Sequence, residues 1–488
     1  MMTPRLGPAA VALALVFASV LASLLAAPAA RADGAFPDSQ SIMTPAALPS
    51  SIILATNFGV VSSVDGGATW LWSCEQDENS FATLYQVGAP PKNRLYARSA
   101  VGLIFSDDLS CSWSVAGGDV TGATVLDEFA DPTNPNRILV VAAPATDGGA
   151  IYQILESSDG GATFGQLRYT APAGDNITGV EIARATPSTV YISITSGASL
   201  TPKLGSSTDG GVTWQLHDLS SGLAAGTNSV RIVAVDPANA NKVYLRVHSS
   251  AGDAVAIATM ASNGTVTATT PLTFTAGILS AFTILSNGHV VVGGVQGVNN
   301  VAFRSTDGGA TFQPLPTPPS LRALASRGTL VYAVADNVAD GYAIGTSSDE
   351  GMTWQPIMRY DQIAAIDTCV MQLCQDDCLM RADTGQWDQS FCSATPPVGG
   401  AGGGNGGSGA GGSNGGSAGR GGTTGSAGTG AAAAGSTGAG AHAGTGGSSP
   451  PPKSSGCAVG AGAPPAGRAL AACALLALAA RRRRRARR

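Results

Sequence analysis

Apolar positions along most of this chain come in short runs of four to seven, broken by turn residues every eight to twelve positions. Almost no stretch shows the three-to-four spacing of a helix. One run, Ser229-Val230-Arg231-Ile232-Val233-Ala234-Val235, ends in Asp236-Pro237 and is followed after a turn by Lys242-Val243-Tyr244-Leu245-Arg246-Val247. The same pair of strands, with a short loop between them, is read at Phe129-Ala130-Asp131-Pro132 with 138–142, at Ile182 with 190–194, and at 321–325 with 330–334. β-branched and aromatic residues bounded by Gly, Pro, Asn and Asp mark these as strands. A third strand follows each pair and runs into a turn, and an aromatic residue opens a fourth.

That turn is what repeats most clearly. Ser63-Val64-Asp65-Gly66-Gly67-Ala68-Thr69-Trp70 returns at 157–164, 207–214, 305–312 and 347–354. A worn copy lies at Ser106-Asp107-Asp108 to Ser112-Trp113, and fainter ones at Ser262-Asn263-Gly264-Thr265 and Ala382-Asp383 to Trp387. The marks Asp65, Asp108, Asp159, Asp209, Asn263, Asp307, Asp349 and Asp383 are separated by 43, 51, 50, 54, 44, 42 and 34 residues. Self-similarity at such a period predicts stacked or radially arranged units. Four short strands per unit around a channel predict an all-β propeller, whose closure removes exposed sheet edges. Eight units are counted. Since the fifth lacks a full turn motif and the eighth is short, seven blades with a cysteine-rich closing segment is the alternative.

The local chemistry explains the repetition. Asp oxygens accept bonds from backbone N–H groups a few residues on, glycine supplies positive φ, and Thr with an aromatic begins the next strand. These residues resemble the Asp-box of bacterial-neuraminidase-type repeats, found in sialidases, sortilin-like receptors and a photosystem assembly factor. The resemblance implies that the box joins the outer two strands of each blade, far from the binding face. It also implies that Asp65, Asp159, Asp209, Asp307 and Asp349 are structural. A calcium loop would need several carboxylates where each turn offers one regular one.

Residues 1–32 read as a secretory signal peptide: Arg5, the apolar run 9–27 and Ala30-Arg31-Ala32 before Asp33. Export puts Cys74, Cys111, Cys369, Cys374, Cys378 and Cys392 in an oxidising compartment, where six cysteines predict three disulfides of open connectivity, with bonds near the ring seam. Spacings of four, three and thirteen residues, without a nearby histidine, do not fit zinc. No metal or cofactor is expected.

Residues 33–392, the expected propeller, hold all 32 acidic residues but only 15 of the 27 Lys and Arg, for a net −17. This argues against nucleic acid as a partner. From 393 to 455 the chain is Gly, Ala, Ser and Thr without acidic or aromatic residues, a flexible linker. Residues 456–488 hold Gly456-Cys457, the apolar segment 469–480 and seven Arg among the last eight positions. This order resembles the C-terminal sorting tails of myxobacterial surface proteins, which implies processing and anchoring at Cys457. The alternative is a plain membrane anchor. Either places the domain at the cell surface or outer envelope.

Catalytic signals are sparse. A sialidase needs three converging arginines, a Tyr-Glu nucleophile and an Asp acid/base, usually with an Arg-Ile-Pro motif. This chain offers Arg137-Ile138-Leu139 without the proline, and Arg184, Arg231 and Arg322 in or beside innermost strands. Its glutamates are Glu75, Glu78, Glu128, Glu156, Glu181 and Glu350, the last within a box and Glu156 next to one. His217, His248 and His289 sit in no nucleophile motif. The sequence thus predicts a non-catalytic binding or scaffold propeller for an unidentified protein or glycan. A sialidase-like glycoside hydrolase and an envelope assembly factor are the alternatives.

Overall fold

The computed structural model describes residues 38–75, 83–144, 150–197, 200–383 and 387–396. The signal peptide, Glu78, the linker from 397 onward and Cys457 fall outside them. Seven antiparallel sheets follow one another, at 39–74, 83–115, 124–170, 176–218, 227–275, 277–314 and 323–358. Each of these segments supplies four strands in simple up-and-down order, to which the first sheet adds a fifth from 365–366, and the first strands of neighbouring sheets pack together around a common axis. This is a seven-bladed β-propeller.

The first strands are Ser39–Met43, Thr83–Val87, Thr124–Ala130, Asn176–Ile182, Thr227–Val235, Gly277–Ile284 and Ala323–Arg327. Their alternating apolar residues pack between blades, as where Ile177, Val180 and Ile182 meet Leu139, Val141 and Ile154 of the preceding blade. All but the last carry a register shift against the second strand, at Ser39/Ser41, Thr83/Gln86, Val125/Asp127, Ile177/Gly179, Thr227/Ser229 and Leu279/Ala281. Such bulges re-aim one side chain per strand. At Thr178 and Ser280 the hydroxyl is thereby turned onto the next blade, donating to Val230 O in its first strand and to Leu321 O just before it.

The eighth unit counted in the sequence is not a blade. Its cysteine-rich segment forms a closing strap. Ala365–Ile366 adds in parallel to Leu71–Cys74, the outer strand of blade 1, and a helix, α1 (Met371–Asp383), follows. Asp383, taken as a repeat mark, is the last residue of that helix. The strap buries Val370, Cys374 and Cys378 against Phe58 and Trp72, and Trp387 meets both rings edge-on at 5.8 and 5.0 Å. Every strand of blade 1 but this added one comes from the N-terminal end of the ring. Closure therefore rests on the strap, on Arg327 Nη2 donating to Ser51 O at 2.7 Å, and on the contact between Ser39 and Tyr360 hydroxyls.

Candidate functional site

The repeated turn is built the same way at each intact copy. In blade 3, Ser157 Oγ donates to Asp159 Oδ1 at 2.6 Å and accepts from Gly161 N at 2.8 Å. Thr163 N and Oγ1 then donate to the two Asp159 oxygens at 3.0 and 2.6 Å. Asp65, Asp209, Asp307 and Asp349 hold corresponding places. Partial burial works against the Asp159 carboxylate, but the Ser157 and Thr163 donors outweigh it and pull the carboxyl down to about 2. The worn copy keeps the same bonds: Asp108 Oδ1 accepts from Ser106 Oγ at 2.8 Å and from Ser112 N at 2.9 Å. It does so with Leu109 and Ser110 at positive φ where four of the other copies have two glycines and the blade 7 copy has Glu350 and Gly351.

These turns also fasten one blade to the next. Arg94, at the start of the second strand of blade 2, donates Nη1 to Gly160 O in the turn of blade 3 at 2.6 Å. Arg137 of blade 3 donates Nη2 to Gly210 O at 2.9 Å, and Lys242 of blade 5 donates to Gly308 O. In blade 6 the corresponding cation is replaced by His289, and the glycine of the next turn by Glu350. His289 Nδ1 lies 2.9 Å from Glu350 Oε1, with Asn287 Nδ2 at 2.8 Å from the same oxygen and Arg304 Nη1 at 3.4 Å from Oε2.

A second cluster lies on the innermost strands. Asp127 and Glu128 in blade 3, Glu181 in blade 4 and Arg231 in blade 5 all sit on first strands. Asp127 Oδ2 accepts from Val180 N at 3.0 Å, and Glu181 Oε1 accepts from Val235 N at 3.0 Å, so each carboxylate ties its blade to the following one. Arg231 Nη2 donates to Asp127 Oδ1 at 2.8 Å. Glu128 is fully buried and neither of its carboxyl oxygens has a hydrogen-bond partner among the described residues. Burial, with Asp127 beside it, raises its carboxyl well above the usual range, against the pull of Arg98 and Arg231. Burial likewise pushes Glu181 up to about 8 despite the Val235 N–H. Asp127 belongs to no motif of the sequence, and Glu128 and Glu181 stand out there only as two of its few glutamates. Their signal was a carboxylate set inside an apolar run, Leu126-Asp127-Glu128-Phe129 and Val180-Glu181-Ile182.

The three arginines considered as a carboxylate clamp do not share a site. Arg184 follows the C-terminal end of its first strand, and Arg322 precedes the N-terminal end of its own. First strands run in the same direction and rise about 3.3 Å per residue, which puts the two at opposite mouths of the channel. Arg231 is held by Asp127, and Arg322 lies 3.3 Å from Asp336 and 3.5 Å from Asp38. Among the glutamates, Glu156 is clamped by Arg168 Nε and Nη2, each at 3.0 Å, with Arg137 Nε at 3.4 Å, and Glu75 pairs with Arg381 at 3.2 Å. His217 faces Ser206 Oγ at 2.9 Å in blade 4, whereas His248 faces Asp253 at 2.6 Å in blade 5. No hydroxyl–imidazole–carboxylate chain is completed among the described residues.

All six cysteines of the described residues are paired: Cys74–Cys374, Cys111–Cys369 and Cys378–Cys392. Two of the bonds join the strap to blades 1 and 2, across 300 and 258 residues of chain. Disulfides of this kind belong to an extracellular or periplasmic protein. No helix among the described residues is long and apolar enough to cross a membrane.

No protein-family model and no curated protein sequence matches the chain. Among solved structures it is similar to the GH74 xyloglucanase from Xanthomonas campestris, at 15% identity and a TM-score of 0.35 over 67% of this chain and 58% of that one. It is also similar to the β-propeller domain of the Trilobed protease from Pyrococcus furiosus, at 9% identity and a TM-score of 0.46 over 67% and 99% of the two chains. A third is YCF48 from Cyanidioschyzon merolae, at 14% identity and 0.43 over 62% and 94%. The chain spans a little over half the length of two GH74 enzymes it resembles, 58% and 55%. What is shared is the propeller.

Proposed function

We propose that this chain is an exported, surface-tethered β-propeller that binds a protein or glycan without turning it over. The observation that carries this reading is the commitment of its arginines. Arg231 and Arg322 are engaged by the protein's own carboxylates, and Arg184 and Arg322 lie at opposite channel mouths. A carboxylate-recognising clamp needs its cations convergent and available. The raised carboxyls of Glu128 and Glu181 are of the kind that serve as general acids. Both side chains are buried between blades, however, where a glycosidic oxygen does not reach.

In this reading the repeated turns are Asp-boxes with a structural role, residues 1–32 direct export, and 393–488 supply a linker and a sorting tail with Cys457 as the processing and anchoring residue. The strongly acidic balance of 33–392 favours a neutral or basic ligand surface. The test is to apply the purified chain to glycan and protein arrays at graded concentration and ionic strength. Saturable retention on a defined ligand, weakening with salt, is the expected result. Retention absent throughout would overturn the binding role.

A further inference from the structure

The three disulfides differ in access. Cys74, Cys374, Cys378 and Cys392 are fully buried. Cys369 is exposed and Cys111 partly so. Both line a pocket where the turns of blades 1 and 2 meet the strap, together with Ser62, Leu71, Asp108 and Asp367. Two carboxylates face this pocket and no basic side chain does. Asp367 Oδ1 lies 3.2 Å from Cys369 Sγ. An attacking thiolate must reach a sulfur, so exposure decides which bond exchanges. A carboxylate at that sulfur repels an anionic thiol and favours a cationic one.

We propose that Cys111–Cys369 is a thiol-exchange site selective for positively charged thiols. The thiolate attacks Cys369 Sγ, the Sγ–Sγ bond breaks, and the electron pair leaves on Cys111 Sγ, which takes a proton from solvent. A mixed disulfide remains on Cys369. A second equivalent of the thiol attacks the incoming sulfur, releasing the oxidised thiol and leaving Cys369 reduced. Two thiols are oxidised and one protein disulfide is reduced. Blade 2 is then freed from the strap while Cys74–Cys374 still closes the ring.

The test uses the full oxidised chain, exposed under native conditions to cysteamine or to 3-mercaptopropionate, then quenched, alkylated and mapped by peptide mass spectrometry. Cys111 and Cys369 should be modified while the other four remain bonded. Relative to a small neutral disulfide, a carboxylate ~4 Å from the thiol's charged group should speed cysteamine and slow 3-mercaptopropionate about five-fold each, a preference of about thirty-fold between the two. Asp367→Asn should narrow that preference. Because the variant could fold poorly, the wild type is also measured at about 1 M salt, where screening should narrow it too. Exchange of the buried pairs at the same rate would overturn the proposal. So would a charge preference equal to that of the small disulfide, or one insensitive to both the substitution and salt.

Discussion

Arg231 of blade 5 is bonded to Asp127 of blade 3 at 2.8 Å, reaching past the whole of blade 4. The passage exists because blade 4 presents Gly179 there. A Cβ on Gly179 would lie 3.1 Å from Ser193 Oγ, 3.2 Å from Asp127 Oδ2 and 3.6 Å from Arg231 Cγ. Both partners are largely shielded from water, so removing one strands the other. Asp127→Ala should therefore destabilise the fold by about 3 kcal/mol, and Arg231→Ala added to it should cost much less than its own single effect. Urea unfolding of the two single variants and the double variant measures the coupling.

The turn-to-blade fastening makes a separate prediction. Arg137 donates to Pro187 O and Gly210 O of the next blade while pairing with Asp131 and Glu156. Arg137→Ala should lower stability by roughly 2–4 kcal/mol, since buried carbonyls and carboxylates lose a charged donor. Asp159→Ala should lower it by about 1–2 kcal/mol through the turn itself. Neither should change the affinity of the folded fraction for a ligand on the channel face, which melting curves and array binding together would check.

How much of this was legible in the sequence follows from where the signal was local. The turn motif, the strand pairs ending in Asp-Pro and the period of the units are written in adjacent residues, and the blades stand where those patterns lie. Leu109 and Ser110 show that the bonding of the turn survives loss of both glycines, which explains why the worn copy still counted. The eighth unit misled because Asp383 and Trp387 copy the turn's spacing at the end of a helix. That helix is pinned by Cys374 and Cys378 rather than by an apolar stripe, so its periodicity was faint. The pairing of Cys74 with Cys374 and the meeting of Arg231 with Asp127 depend on ring closure, which no local pattern encodes.

Glu181 gives the pH dependence a sign. Its carboxyl is raised from the ordinary value to about 8 by burial. Between the unfolded value near 4.5 and about 8 the folded chain holds a proton that the unfolded chain has lost. Its contribution to stability is therefore full below about pH 4.5 and declines as pH rises to 8, by up to ~1.4 kcal/mol per unit. Glu181→Gln keeps the acceptor for Val235 N and should flatten that decline. Melting temperatures from pH 5 to 8 for both proteins decide it.

Tail processing is checked by mass spectrometry of the mature protein from its own host. The reading expects a C-terminus near Cys457, and Cys457→Ser should leave the chain unprocessed or release it into the medium. A wild-type chain ending at Arg488 would favour the plain membrane anchor.

The central claim is that this propeller binds without catalysing. The most direct measurement is turnover by the purified full chain of a fluorogenic sialoside and a panel of aryl glycosides, at protein concentrations high enough to register a weak enzyme. Release no faster than in buffer is the expected result. Turnover that disappears when Arg184, Arg231 or Arg322 is changed to Ala would contradict the account and make the chain a glycoside hydrolase.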